Sequence, residues 1–354
     1  MNDGAVDADI TLQWCMMNPV HVLSATTASR VTNGRATRDN LAGHSRQNAG
    51  DGLVLGLSGM LHYAVGLSVS RDNVWTNSTA ARGVIHEPMV ETQTLMAVLA
   101  GGPYGPSDGV GSFNKSLIMR ACRPDGVLLK ADKPVTMMDS AFAVLPFEGP
   151  LPCSNSSHPS DLTCAVVNVW STHSDVPGAG RYGYVLGLDL AAPFDVIPAN
   201  ILGAADGGGG AGAATYQVVE YWHGMRAASA VVATNQAPFT ITPPPRSNNS
   251  AIITNAYYIF APVLPASGWC YLGEPDKIVT ASTRRVASVS ESADGALRVC
   301  LVGSSEESIV ALARGPSGTL FEARCPIPRL PTETVDGKVE MTCSEPHGCV
   351  CGSC

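Results

Sequence analysis

Hydrophobic and polar positions follow two different rhythms along this chain. Up to residue 126, short apolar segments alternate with stretches of helical character. "DITLQWCMM" (9–17) reads as a strand, with Asn18-Pro19 opening the next segment, and the segment ending in "GRATR" (34–38) reads as a second strand. Residues 49–68 are predicted to form a long apolar core helix, and "NVWTN" (73–77) a third short strand. "EPMVETQTLMAVLAGG" (87–102) predicts a helix with Pro88 at its start, Glu91 in its first turn and Gly101-Gly102 as its stop. "GPYGPSDG" (102–109) gives a fourth strand, and Ser112 is placed to cap a helix over "FNKSLIMRAC" that the turn Pro124-Asp125-Gly126 ends. Four strand–helix units in succession predict a parallel sheet, either half of a closed β/α barrel or a small open sheet.

After residue 126 the helical period disappears. "CAVVNVWSTH" (164–173), "RYGYVLGLDL" (181–190), "YQVVEYW" (216–222), "AYYIFAPV" (256–263), "GALRVCLVG" (295–303) and "SIVALARG" (308–315) are strand-like and separated by turn residues. That pattern predicts an antiparallel β-sandwich over 127–354. A Gly-rich loop (203–214) and "TPPPRSNN" (242–249) interrupt it as low-complexity segments. The glycine run lacks the Lys-Ser/Thr of a P-loop, and a dinucleotide fingerprint is also missing.

Composition narrows the class. The 354 residues are 45% hydrophobic and 15% charged, enough for a buried core and unlike a disordered chain. The 36 glycines and 25 prolines demand many turns. A net charge of −8 without a basic block argues against a nucleic-acid partner. The start "MNDGAVDADI" has neither the basic residues nor the apolar run of a signal peptide. The greasiest stretch, 53–69, is broken by Gly, Ser and His and is short for a membrane span, so no membrane partner is expected. The 11 cysteines are odd in number; Cys153 and Cys164 could staple the polar loop between them. The Cys-rich tail 343–354 is too crowded for zinc-ligand pairs and is expected to be flexible. No metal or cofactor is implied.

"RATRDN" (35–40), the later "VETQTLMAVLAGGPYGPSDGVGSFNKSLIMRACRPDGVLLK" and "LQWCMMN" together resemble the α-galactosidase and raffinose synthase family of glycoside hydrolases. The resemblance covers roughly residues 10–145. It implies the C-terminal half of a (β/α)8 barrel, residues 1–126 carrying the equivalents of strands five to eight, ahead of the β-sandwich. It also implies an α-galactoside or oligosaccharide as ligand. By the same resemblance Asp39 is the general acid/base, with Arg35 and Asp108 lining the sugar site and Trp14 offering an apolar platform for a sugar face. Arg38 stands where the family has another Asp. Read from the residues alone, Arg35 and Asp39 are equally well a strand-end ion pair, and Trp14 a core residue.

A retaining glycosidase needs a second carboxylate as nucleophile, about 5–5.5 Å from the first. The family carries it in a Lys-x-Asp segment ahead of "LQWCMMN". This chain has only Asp3, Asp7 and Asp9 there, and its first lysine is Lys115. Lys130-Ala131-Asp132 has the right spelling but falls after the last expected barrel strand, where a surface turn is the simpler reading. The chain is therefore expected to be a fragment of a longer enzyme, a chain completed by a missing N-terminal half-barrel, or a non-catalytic carbohydrate-binding or interaction protein.

Overall fold

The structure, a computed structural model, describes residues 2–37, 39, 55–56, 58–79, 87–142, 169–188, 190, 192–202, 215–226, 231–234, 237–244, 254–331, 334 and 336–354. The expectations for Arg38, for the Cys153–Cys164 staple, for the Gly-rich loop 203–214 and for the first part of the 49–68 helix lie outside these residues.

Three short strands near the N-terminus pair in parallel. Leu12–Trp14 lies beside Val31–Arg35, which lies beside Ser68–Ser70. The first connection is the helix Pro19–Ala25: Asn18 Oδ1 accepts from His21 N at 3.1 Å, and proline fills the first turn, where its missing N–H costs nothing. Val22, Ala25 and Val31 bury a small core beneath these strands. Beyond Ser70 the parallel pattern continues only as isolated bridges, Val69 to Gly101 and Val74 to Pro106.

The expected half of a (β/α)8 barrel is not what forms. Strands account for 39% of the structure and helices for 16%, and the strands gather in several small, mostly antiparallel sheets. Two of the predicted barrel strands fail for a local reason. "NVWTN" contributes one bridged residue, and "GPYGPSDG" holds two prolines, which lack the N–H a ladder needs.

The helix Val90–Leu99 is buried along nearly its whole surface. It stops where Gly101 adopts φ 75°. Gly102 is pressed against the backbone: a Cβ there would lie 1.7 Å from the Val69 carbonyl oxygen. The next helix, Lys115–Ile118, is capped by Asn114, whose Oδ1 accepts from Leu117 N at 3.2 Å, and not by Ser112.

A six-stranded antiparallel sheet forms the centre. Its order is Thr136–Met137, Val169–Val176, Gly180–Leu188, Asn255–Pro262, Thr215–Glu220 and Val231–Thr234. Alternate residues serve two cores. Tyr182, Tyr184 and Leu186 face one, with Leu95 and Leu99 of the buried helix and the C-terminal sheets; Val185, Val218 and Phe260 face the other, with Val196 and Ile241. A simple two-layer sandwich has one core between its sheets, so this central sheet, buried on both faces, departs from the expectation. It also explains why its strands read as nearly unbroken apolar runs.

Two smaller sheets close the structure: Cys270–Gly273 with Ser308–Arg314 and Leu320–Pro326, and Val286–Glu291 with Leu297–Gly303, Gly337–Ser344 and Gly348–Gly352. The tail expected to be flexible is the hairpin Gly337–Ser344/Gly348–Gly352, bound by disulfides. Cys343 pairs with the directly opposed Cys349, Cys325 with Cys351, and Cys300 with Cys354. The Cys325–Cys351 bond joins the two sheets. Arg285, fully buried, holds them from inside through Glu274 at 2.6 Å and through Glu307. The Pro124-Asp125-Gly126 turn is tied to the same region by Arg123, which bonds Asp125 and Asp336.

Candidate functional site

The parallel sheet directs the C-terminal ends of its strands to one edge, the edge at which open α/β sheets bind ligands. Arg35 ends the strand Val31–Arg35. Its Nη2 donates to Asp39 Oδ1 at 2.7 Å, and its Nη1 donates to Asp72 Oδ1 at 2.6 Å. The Arg35 side chain is 9% exposed, Asp72 21% and Asp39 68%, so one buried cation presents a carboxylate to solvent. Burial alone would pull the Arg35 guanidinium down; Asp39, Asp72 and Cys15 outweigh it and hold it above its ordinary value.

The neighbouring groups fix this edge. Asp72 N donates to Thr37 Oγ1 at 3.2 Å, and Gln13 Nε2 donates to Ser70 Oγ at 2.8 Å. Met16, just past the first strand, holds φ 46°, the left-handed region that a side chain of its size seldom occupies. Trp14 ends that strand opposite Gly34; it is half-buried, packs on the small core and meets His21 edge-on at 6.4 Å.

Asp108 is placed apart from this pair. Its carboxylate accepts from Thr76 N at 2.9 Å, Thr76 Oγ1 at 2.6 Å and Asn77 N at 3.0 Å, which engages both oxygens in holding the Thr76–Asn77 turn. The structure thus brings Arg35 and Asp39 together, leaves Trp14 on the flank and commits Asp108 to a loop.

Asp72 is the residue that sequence reasoning missed. A signal for it exists: the tripeptide Arg-Asp-Asn occurs at 38–40 and again at 71–73, each time just beyond the end of a parallel strand. Among the described residues no group of three or more His, Cys, Asp or Glu is placed to hold a metal ion, and no helix is long and apolar enough to cross a membrane. No family model matches the chain, and no curated protein matches it.

Proposed function

We propose that this chain is a glycoside-hydrolase-like protein that binds an α-galactoside or related oligosaccharide at the C-terminal edge of its parallel sheet, without cleaving it. The observation that carries the reading is the division of the buried Arg35 between Asp39 and Asp72. A carboxylate fixed by a guanidinium, with its second oxygen toward solvent, is a ready acceptor for sugar hydroxyls, and Trp14 offers an apolar flank. The resemblance in "RATRDN" and the segments after it supports the sugar class.

Hydrolysis asks for more. One carboxylic acid must offer a proton to the leaving oxygen while a second group attacks. Here Asp39 and Asp72 both accept from the one Arg35 guanidinium, each through Oδ1, which ties the two carboxylates to a single cation.

A second reading rests on Asp72. It supplies another carboxylate on the same guanidinium as Asp39, and the pair could serve as the two carboxylates of a retaining enzyme. Calorimetric titration with raffinose, beside an assay with an aryl α-galactoside, separates the readings. Binding without turnover, lost in Asp39→Asn, supports the first; turnover abolished by Asp39→Asn and by Asp72→Asn supports the second. No binding and no turnover would overturn both.

A further inference from the structure

Lys130, Lys133 and Arg284 line a cavity of about 310 Å³ beside Ser68, at the start of the strand whose far end leads to Asp72. Hydrogen bonds fix the backbone that carries the two lysines. Lys130 O accepts from Ser282 Oγ at 2.9 Å, Asp132 N donates to His173 O at 2.9 Å, and Lys133 O accepts from Thr172 Oγ1 at 2.6 Å. Among the described residues none of the three cations forms an ion pair. The one carboxylate in the wall, Asp132, is already engaged: Oδ2 accepts from Asp175 N at 2.6 Å and Oδ1 from Thr283 Oγ1 at 3.4 Å.

Both lysines are half-buried. Their ammonium groups are pushed below the ordinary lysine value, Lys130 by burial and then by Arg284, Lys133 by burial and then by Arg181. Asp139 and Asp175 pull Lys133 the other way, and Asp175 is itself paired with Arg181. Partly desolvated lysines in a wall where cations exceed carboxylates are costly, and a bound anion would relieve that cost.

We propose that this cavity binds the phosphate group of a small phosphorylated ligand, with Lys130 and Lys133 as point charges and Arg284 as a forked donor. Cations outnumbering carboxylates three to one in the wall favour a dianion over a single carboxylate. The volume exceeds what phosphate needs and leaves room for an organic portion beside Tyr63 and Pro134. The site is separate from Asp39 and does not depend on the sugar reading.

The test titrates inorganic phosphate into the full chain by calorimetry, with sodium chloride at matched ionic strength as the comparison. Saturable binding of phosphate but not chloride is expected, weakened about tenfold or more in Lys130→Met and in Lys133→Met. Lys133→Arg should retain it, and Asp39→Asn should leave it unchanged. Should the methionine variants fail to fold, Arg284→Gln at an exposed position makes the same test. An equal response to chloride, or undiminished phosphate affinity in the charge-removing variants, overturns the proposal.

Discussion

Arg35 and Asp72, on neighbouring parallel strand ends, are joined at 2.6 Å across 37 residues of chain. The bond fixes the distance between two loops that sequence alone leaves independent, and it sets the direction in which Asp39 meets solvent. Removing the arginine takes the 2.6 Å ion pair from the less exposed Asp72. Arg35→Met should therefore destabilise the fold by about 2–4 kcal/mol, whereas Asp39→Asn, whose partner pair is largely exposed, should cost under about 1 kcal/mol. Urea unfolding of both variants measures the difference; equal costs would mean the buried arm of the cluster carries no special weight.

The Cys325–Cys351 bond closes a loop of sequence separation 26 between two sheets. Cys325→Ala with Cys351→Ala should lower stability by about 2–4 kcal/mol. Dithiothreitol should lower the melting temperature of the wild-type chain further, because Cys300–Cys354 and Cys343–Cys349 open too. A melting temperature indifferent to reduction would show that the hairpin holds by its ladder alone.

Arg285 is fully buried between Glu274 and Glu307. Arg285→Met takes the ion-pair partner from two buried carboxylates and should cost about 3–5 kcal/mol. Replacing all three by apolar residues of similar size should recover much of that loss, and denaturant midpoints of the single and triple variants read the comparison.

His173 gives the fold a pH dependence. Its imidazole, on the strand Val169–Val176, is pushed down to about 4 by burial first, then by Arg181 and Lys133. Asp175, 3.8 Å away, pulls the other way and does not prevail. The unfolded chain takes up a proton near the ordinary 6.5, while the folded chain does so only near 4. Stability should therefore fall as pH drops through that window, by at most about 3 kcal/mol at about 1.4 kcal/mol per unit. Arg181 holds the Asp175 carboxyl below its ordinary 3.8, so its contribution is lost in a lower, separate window. Melts of wild type and His173→Gln between pH 4 and about 7 should show the slope in the first and not in the second.

The longer strands are legible because apolar residues mark them directly. "AYYIFAPV" and "SIVALARG" are strands nearly to the residue, as Asn255–Pro262 and Ser308–Arg314. Their partners were less legible, since a second core formed by Val196 and Ile241 comes from segments too short to announce themselves. The half-barrel implied by the family resemblance does not form: three-residue strands such as Ser68–Ser70 carry too little ladder to define an architecture. The tail was misread because the partners Cys300 and Cys325 lie far from it in sequence, and disulfide connectivity cannot be deduced from spacing. At the site, Arg35 and Asp39 are visible as i,i+4 neighbours, whereas Asp72 joins them only through strand pairing.

The most direct test of the account is calorimetric titration of raffinose into the wild-type chain and into Asp39→Asn, with turnover of an aryl α-galactoside followed on the same samples. Saturable binding by the wild type is expected, with loss of that binding in the variant while it stays folded, and no hydrolysis by either. Binding that survives Asp39→Asn unchanged, or no binding by the wild type at all, would contradict it.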